Sequence, residues 1–267
     1  MPLKAAALNS GSNGNCIWFS DGTDSILIDA GLSCKETEKR MGRLGLSMND
    51  VRAVLITHEH SDHIFGIRGL LKKYDLEVYV TEATWNASGI VTRHGTIVHF
   101  ASGQLLTFGN LMVRAFPIHH DAADPHGYTV SDGTVTAGVF TDIGRACKQV
   151  RKKFSECQLV FLECNYEEDL LENGPYPEML KHRIRGGNGH LSNRQAMELL
   201  RDHRHPGLGH VFLSHLSERN NSPAHAREWF SEFEPELSIE VAGREQETAI
   251  VEIGTGALPA GIQLKLF

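Results

Sequence analysis

Apolar residues in this chain fall into short runs bounded by glycine and polar residues, the signature of strands rather than of long helices. Such runs predict strands near 4–8, 16–20, 25–29 and 51–57, then near 77–80, 96–100, 104–108, 111–117, 126–131 and 134–140. Asp132-Gly133 between the last two predicts a two-residue hairpin turn. Elsewhere the apolar spacing lengthens to a helical period. It predicts helices over 34–44 with Ser33 as cap, and over 62–74 with Ser61 or Asp62 as cap. Further helices are expected at 144–153, 177–184, 192–203 and 223–232, with strands at 158–163, 209–213, 238–241 and 249–253. Hairpins followed by a helix, repeated in the second half, predict an α/β fold with four layers, an αββα sandwich. Each half contributes one sheet to a single domain over 1–267, with no linker between halves. Tight turns between neighbouring strands argue against an open, wholly parallel sheet.

Bulk properties narrow this picture. The composition, 41% hydrophobic and 22% charged, is that of an ordinary globular protein. No apolar run approaches the roughly 20 residues that span a bilayer, and the segment 1–8 is too short and soon too polar for a secretory signal. A cytoplasmic protein with no membrane partner is expected. Five cysteines, at 16, 34, 147, 157 and 164, include no Cys-x-x-Cys, which argues against a disulfide framework or a thiolate zinc finger. The net charge of -7 is unlike that of a nucleic-acid-coating protein. It does not exclude a nuclease, because bound cations would supply local positive charge. Of two basic runs, Lys148 with Arg151, Lys152 and Lys153 reads as a solvated helix face. Lys181-His182-Arg183 with Arg185 precedes another histidine of interest and stays open between that reading and a substrate contact.

The chemistry gathers at strand ends. The apolar run 51–56 leads into Thr57-His58-Glu59-His60-Ser61-Asp62-His63, three imidazoles and two carboxylates on one loop. These donors suit Zn²⁺, Mn²⁺ or Fe²⁺; the competing interpretation is a solvated polar loop. Four more strands end in donor residues: at Asp29, at His119-His120-Asp121, at Asp142 and at His215. Reach assigns His58, His60 and His120 to one ion, and Asp62, His63 and His215 to a second. Asp142 either bridges both or caps a helix starting near Gly144. His119 competes with His120; neighbouring side chains diverge, so one of them is the direct ligand. Asp29 is expected to orient an imidazole or the loop from outside the ligand set. The loop Ser10-Gly11-Ser12-Asn13-Gly14-Asn15 either offers polar groups to a phosphate, with Ser12 and Asn15 in contact, or is a plain turn.

Asp29-Ala30-Gly31, His58-x-His60-x-Asp62-His63, His120, Thr141-Asp142 and His215 resemble the metallo-β-lactamase superfamily in order and spacing, over roughly residues 5–253. The His-x-His-x-Asp-His block is the specific part. Segments 11–16, 57–63, 120–122, 163–166, 189–193 and 214–217 are similar to its WalJ/YycJ subgroup, regarded as 5′-to-3′ DNA exonucleases. His119 and Cys164 depart from that pattern, where a smaller residue and Ser are usual. The resemblance implies the αββα sandwich, two divalent ions and a metal-bridging hydroxide that Asp62 orients. Gly189-His190-Leu191-Ser192-Asn193 is also similar to the Gly-His-Ser-Thr loop of tRNase Z. By that likeness His190 contacts the phosphate or protonates the leaving oxygen, and Asn193 contacts substrate; otherwise His190 only seats the loop.

Metal-dependent hydrolysis of DNA, ahead of RNA, is therefore the expected function. A thioester or ester hydrolase of the glyoxalase II type shares the metal loop and is the second candidate. A non-catalytic, metal-stabilised DNA-binding protein is the third. An oxygen-reducing di-iron role fits less well, since relatives with that chemistry usually carry an acidic residue where His60 stands.

Overall fold

The computed structural model describes residues 2–253; residue 1 and residues 254–267 of the expected 1–267 domain lie outside the described residues. The first half runs β1 (Leu3–Asn9), β2 (Cys16–Ser20), β3 (Ser25–Ile28), α1 (Cys34–Arg43), β4 (Val51–Leu55), α2 (Ser61–Ile64), α3 (Ile67–Lys73), β5 (Glu77–Val80), α4 (Glu82–Ser88) and β6 (Thr96–His99). The second half begins with β7 (Leu105–Phe108), β8 (Leu111–Pro117), β9 (His126–Ser131), β10 (Thr136–Phe140), α5 (Lys148–Phe154) and β11 (Leu159–Glu163). It continues through α6 (Glu168–Asn173), α7 (Glu178–Arg185), α8 (Asn193–His203), β12 (His210–Ser214), α9 (Pro223–Phe230), β13 (Ser238–Val241) and β14 (Val251–Ile253).

Two seven-stranded sheets form, ordered β14-β1-β2-β3-β4-β5-β6 and β13-β12-β11-β10-β9-β8-β7. Strands β3 to β6 are parallel, as are β10 to β13; the remaining pairs are antiparallel. Side-chain alternation gives each central strand two buried faces, which is why these strands read as unbroken apolar runs. Ile26, Ile28 and Leu55 of the first sheet face Val130, Phe161 and Phe212 of the second across the middle layer. Leu27 and Val54 point the other way, onto Met41 of α1 and Leu70 of α3. Val160 and Leu162 likewise meet Phe154 of α5, Leu199 of α8 and Phe230 of α9. The result is the predicted αββα sandwich, with one refinement: β14, from the second half, joins β1 and completes the first sheet.

Two helix caps form, that at Ser33 as predicted. The Ser33 hydroxyl accepts from the Glu36 amide, and Ser192 and Gln195 make a reciprocal capping box at α8. Other expectations are corrected. The single helix over 62–74 is two, α2 and α3, broken at Phe65-Gly66. Gly66 presses its backbone onto the 30–32 segment, its amide donating to the Ala30 carbonyl at 2.7 Å, and a Cβ there would meet the Leu32 oxygen at 1.9 Å. Neither Ser61 nor Asp62 caps α2; the cap position is His60, without a side-chain bond. Helix α5 begins at Lys148, not 144, because Gly144 is wedged against the backbone of Gly187 and Asn188. The β9–β10 connection spans 132–135 rather than two residues: Asp132 Oδ1 accepts from the Thr134 and Val135 amides, and only Gly133 is left-handed. The short helices α4 and α6 were not anticipated, since neither carries an apolar period. No described helix is long and apolar enough to cross a membrane.

Candidate metal centre

Parallel strands deliver their carboxyl ends to one edge of the sandwich. Asp29 follows β3, the 57–63 loop follows β4, His119 and His120 follow β8, Asp142 follows β10, Glu163 ends β11 and His215 follows β12. Asp29, Asp142 and His215 are the only described non-glycine residues with positive φ, at 63°, 57° and 57°. A non-glycine residue held there costs on the order of 1–3 kcal/mol and persists where its surroundings demand it. Each of the three turns its side chain from a strand end into the same space.

The first donor set is His58, His60 and His120. His58 Nε2 stands 3.1 Å from His60 Nδ1, which is 3.3 Å from His120 Nε2. Nitrogens about 2.0–2.1 Å from one tetrahedral ion would be roughly 3.3–3.4 Å apart, so the spacing suits a shared cation. The second set is Asp62, His63 and His215. Asp62 Oδ2 lies 3.4 Å from His63 Nε2 and 3.5 Å from His215 Nε2. Asp142 stands between the sets, Oδ2 3.2 Å from His63 Nε2 and Oδ1 3.7 Å from His120 Nε2. Buried Asp142 Oδ2 and His215 Nε2 lack a well-aligned hydrogen-bond partner. An unsatisfied buried polar atom costs about 1–3 kcal/mol, which a cation at this point would relieve. Two neighbouring divalent ions therefore fit the donors present. With α5 starting at Lys148, Asp142 caps no helix.

Outer contacts fix which nitrogen each ring presents. His63 Nδ1 bonds Asp29 Oδ2 at 2.7 Å, and Asp29 also receives the Thr57 amide and hydroxyl. Thr57 Oγ1 in turn contacts His58 Nδ1 at 2.9 Å. His120 Nδ1 donates to the Gly189 carbonyl at 2.9 Å. Glu163, to which no role was given from sequence, is the hub of the second half. Fully buried, its Oε1 receives His190 Nδ1 at 2.7 Å and His215 Nδ1 at 3.1 Å, while Oε2 accepts from the amides of Ile143 and Leu191. Its signal was available: the run 159–162 ends in an acidic residue, as the other donor strands do.

The two sets carry different charge. Burial, with positive His63 alongside, holds His58 well below the ordinary imidazole range, and burial also lowers His120. Burial pulls His63 and His215 down too, but carboxylates outweigh it. Asp29, Asp142 and Asp62 raise His63 well above its ordinary value; Asp142, with Asp62 and Glu163, pushes His215 up to about 10. In return, although burial opposes it, the two imidazoles hold the Asp62 and Asp142 carboxyls well below the usual carboxylate range.

A family model described as a beta-lactamase superfamily domain matches residues 24–215, which contain all of these donors. The chain belongs to the metallo-β-lactamase superfamily. It is 37% identical over 232 residues to exodeoxyribonuclease YycJ of Bacillus anthracis, covering 85% of this chain and 87% of that one. It is 32% identical over 224 residues to exodeoxyribonuclease WalJ of Streptococcus pneumoniae, covering 82% and 83%. Among solved structures, the metallo-beta-lactamase fold protein YhfI from Bacillus subtilis superposes with a TM-score of 0.71 at 19% identity, over 94% of this chain and all of that one, a likeness of fold. Membership in the superfamily and in this YycJ/WalJ-like branch makes the chain a metal-dependent hydrolase.

The remaining predicted residues of this metallo-β-lactamase site divide. His190 stands beside the donor sets, its ring 5.1 Å from that of His120 and 5.4 Å from that of His215. Asn15 is buried, and its amide nitrogen lies 3.2 Å from Asp62 Oδ2 and 3.0 Å from His63 Nε2, so it braces the second set. Ser12 is exposed at the tip of its loop. His119 falls outside both sets, its ring nitrogens 3.2 and 3.1 Å from Arg145 Nη2. Asn193 is corrected: wholly buried, its amide donates to Glu167 and exchanges bonds with Asn221, so it locks α8 in place and cannot touch a phosphate. In the second basic run, Arg183 pairs with Asp121, Arg185 with Glu172, and Lys181 donates to the Glu172 carbonyl.

Proposed function

We propose that this protein is a 5′-to-3′ DNA exonuclease whose phosphodiester hydrolysis depends on two divalent ions held by the sets around Asp142. The observation that carries it is the pair of donor sets sharing one carboxylate, with the Glu163–His190 pair beside them. The names of the YycJ and WalJ relatives support DNA as the substrate. Ions held by these residues would offset the phosphate's charge and acidify a bound water that serves as the nucleophile. Asp62, braced by Asn15, orients that nucleophile. His190, fixed through Nδ1 by Glu163, presents Nε2 to the leaving oxygen and delivers its proton. His120 donates to the carbonyl of Gly189, the residue before His190, so the first donor set and the proton donor share a mount. DNA and RNA strands labelled separately at each end, single- and double-stranded, incubated with manganese, zinc or iron(II), test the reading. Release of labelled mononucleotide first from the 5′ end of DNA is expected. Hydrolysis of a glutathione thioester with all DNA left intact would overturn it.

A further inference from the structure

Beside the metal centre a cleft of about 470 Å³ opens between α5 and α8, within the roughly 300–1,000 Å³ range of small-ligand sites. Two of its lining residues adjoin the centre along the chain: His119 precedes His120, and Leu191 follows His190. Its floor is apolar, from Leu191, Leu199 and Ala146. Its rim carries Arg145 and Arg151, both exposed and neither in an ion pair with a carboxylate among the described residues. Arg68, Arg93, Arg114 and Arg219 also lack such a pair among the described residues, but none of them lines this cleft. The acidic side chains on the opposite wall are already engaged, Glu198 with Arg194 at 2.9 Å and Asp202 with Arg201 at 2.8 Å. Arg151 Nε donates to the Ala146 carbonyl and Arg145 Nη2 contacts His119, which leaves the other guanidinium nitrogens of both free to meet a phosphate, beside a slot that suits a flat base.

We propose that this cleft receives the terminal nucleotide of the strand, its base against Ala146 and Cys147 and its 5′-phosphate on Arg145 and Arg151. The assignment rests on the nuclease reading and adds to it the means of recognising an end. Leu191 of the cleft lining directly follows His190, so the nucleotide on the leaving oxygen is the one placed to enter. The arginines hold its far phosphate, and His119, which fits no donor set, steadies Arg145.

The test is a calorimetric titration of deoxyadenosine 5′-monophosphate into the manganese-loaded protein and into an Arg145→Ala/Arg151→Ala variant. Both residues are exposed, so the variant should fold. Binding at least tenfold weaker in the variant is expected, with deoxyadenosine and inorganic phosphate each binding the parent protein at least tenfold more weakly than the nucleotide. Alkylation locates the ligand: the nucleotide should slow modification of Cys147, which lines the cleft, and not of Cys34, also half-buried but on α1. Equal affinity in parent and variant, or binding of phosphate as tight as that of the nucleotide, overturns the assignment. Intact DNA digestion alongside equal affinity would leave the nuclease reading standing and remove only the subsite. Arginine-dependent nucleotide binding in a protein that digests no DNA would keep the cleft and remove the nuclease.

Discussion

His58 and His63 are both buried, five residues apart on one loop, with ring centroids 4.0 Å apart, yet their charges are driven in opposite directions. The difference lies in what faces each ring. His58 Nδ1 meets the Thr57 hydroxyl, three imidazoles stand around the ring, and Asp142 is the one carboxylate near it. His63 has Asp29 at 2.7 Å, Asp142 at 3.2 Å and Asp62 at 3.4 Å. Extended to the two donor sets, the contrast says that His58 and His120 of the first are held neutral, already in the ligand form. The other stores protons that a cation must displace. Burial alone therefore says little about a ligand's state; the placement of three or four carboxylates decides it.

The comparison can be broken most severely by removing a donor. His60→Ala should lose the first ion and retain the second, whereas Asp142→Ala should weaken both. Each should cut DNA digestion by about a thousandfold or more, since a metal contributes several kcal/mol of charge stabilisation. Metal content and digestion rate together check this; an active, one-ion His60→Ala protein would contradict it. His190→Ala should lower kcat by roughly 10²–10⁴, the usual range for a general acid, and leave both ions bound. A variant that lost metal instead would reassign His190 to the ligand set.

Glu163→Gln tests the second set alone, because that carboxylate touches His215 and His190 but not the first set. About 10–100-fold lower metal affinity or activity is expected, confined to one ion in a titration. The protonation contrast predicts a pH effect as well. In chelator-treated protein, His63 and His215 lie above their unfolded value of about 6.5. The stability from their protons is present below that value and fades as pH rises through the folded values. Denaturant midpoints should fall between pH 7 and pH 10 for the chelated protein and much less for the manganese-loaded one; a chelated midpoint that rose would refute the contrast. Smallest in functional effect is Asn193→Ala. It should cost about 1–3 kcal/mol of stability by stranding Glu167 and Asn221, with KM for DNA unchanged. A raised KM would return Asn193 to the substrate.

The donor sets were legible to different degrees for a related reason. Four of the seven predicted ligands stand in one six-residue window after β4, so their meeting is a local property of a loop on a rigid strand. His120, Asp142 and His215 were found by a weaker rule, a strand ending in a donor. That rule holds equally for Glu163 at the end of β11. It could not separate His119 from His120, because the sequence does not say which way β8 faces as it leaves the sheet. Asn193 shares a motif with His190 but not its direction: His190 stands beside the site, and the capping box at Ser192 turns the chain inward between them.

The sequence by itself determined the strands, their two-sided burial, the sandwich and the ligand loop, since all of these follow from hydrophobic period and from short-range turn and capping chemistry. Only the tertiary structure decided where β14 pairs, which end of each residue pair points inward, which imidazoles carry protons, and that Glu163 holds His190 and His215 together. Those are outcomes of contacts between residues 27 to more than 200 positions apart in sequence. Their energies depend on distance and burial, quantities that no local pattern of residues encodes.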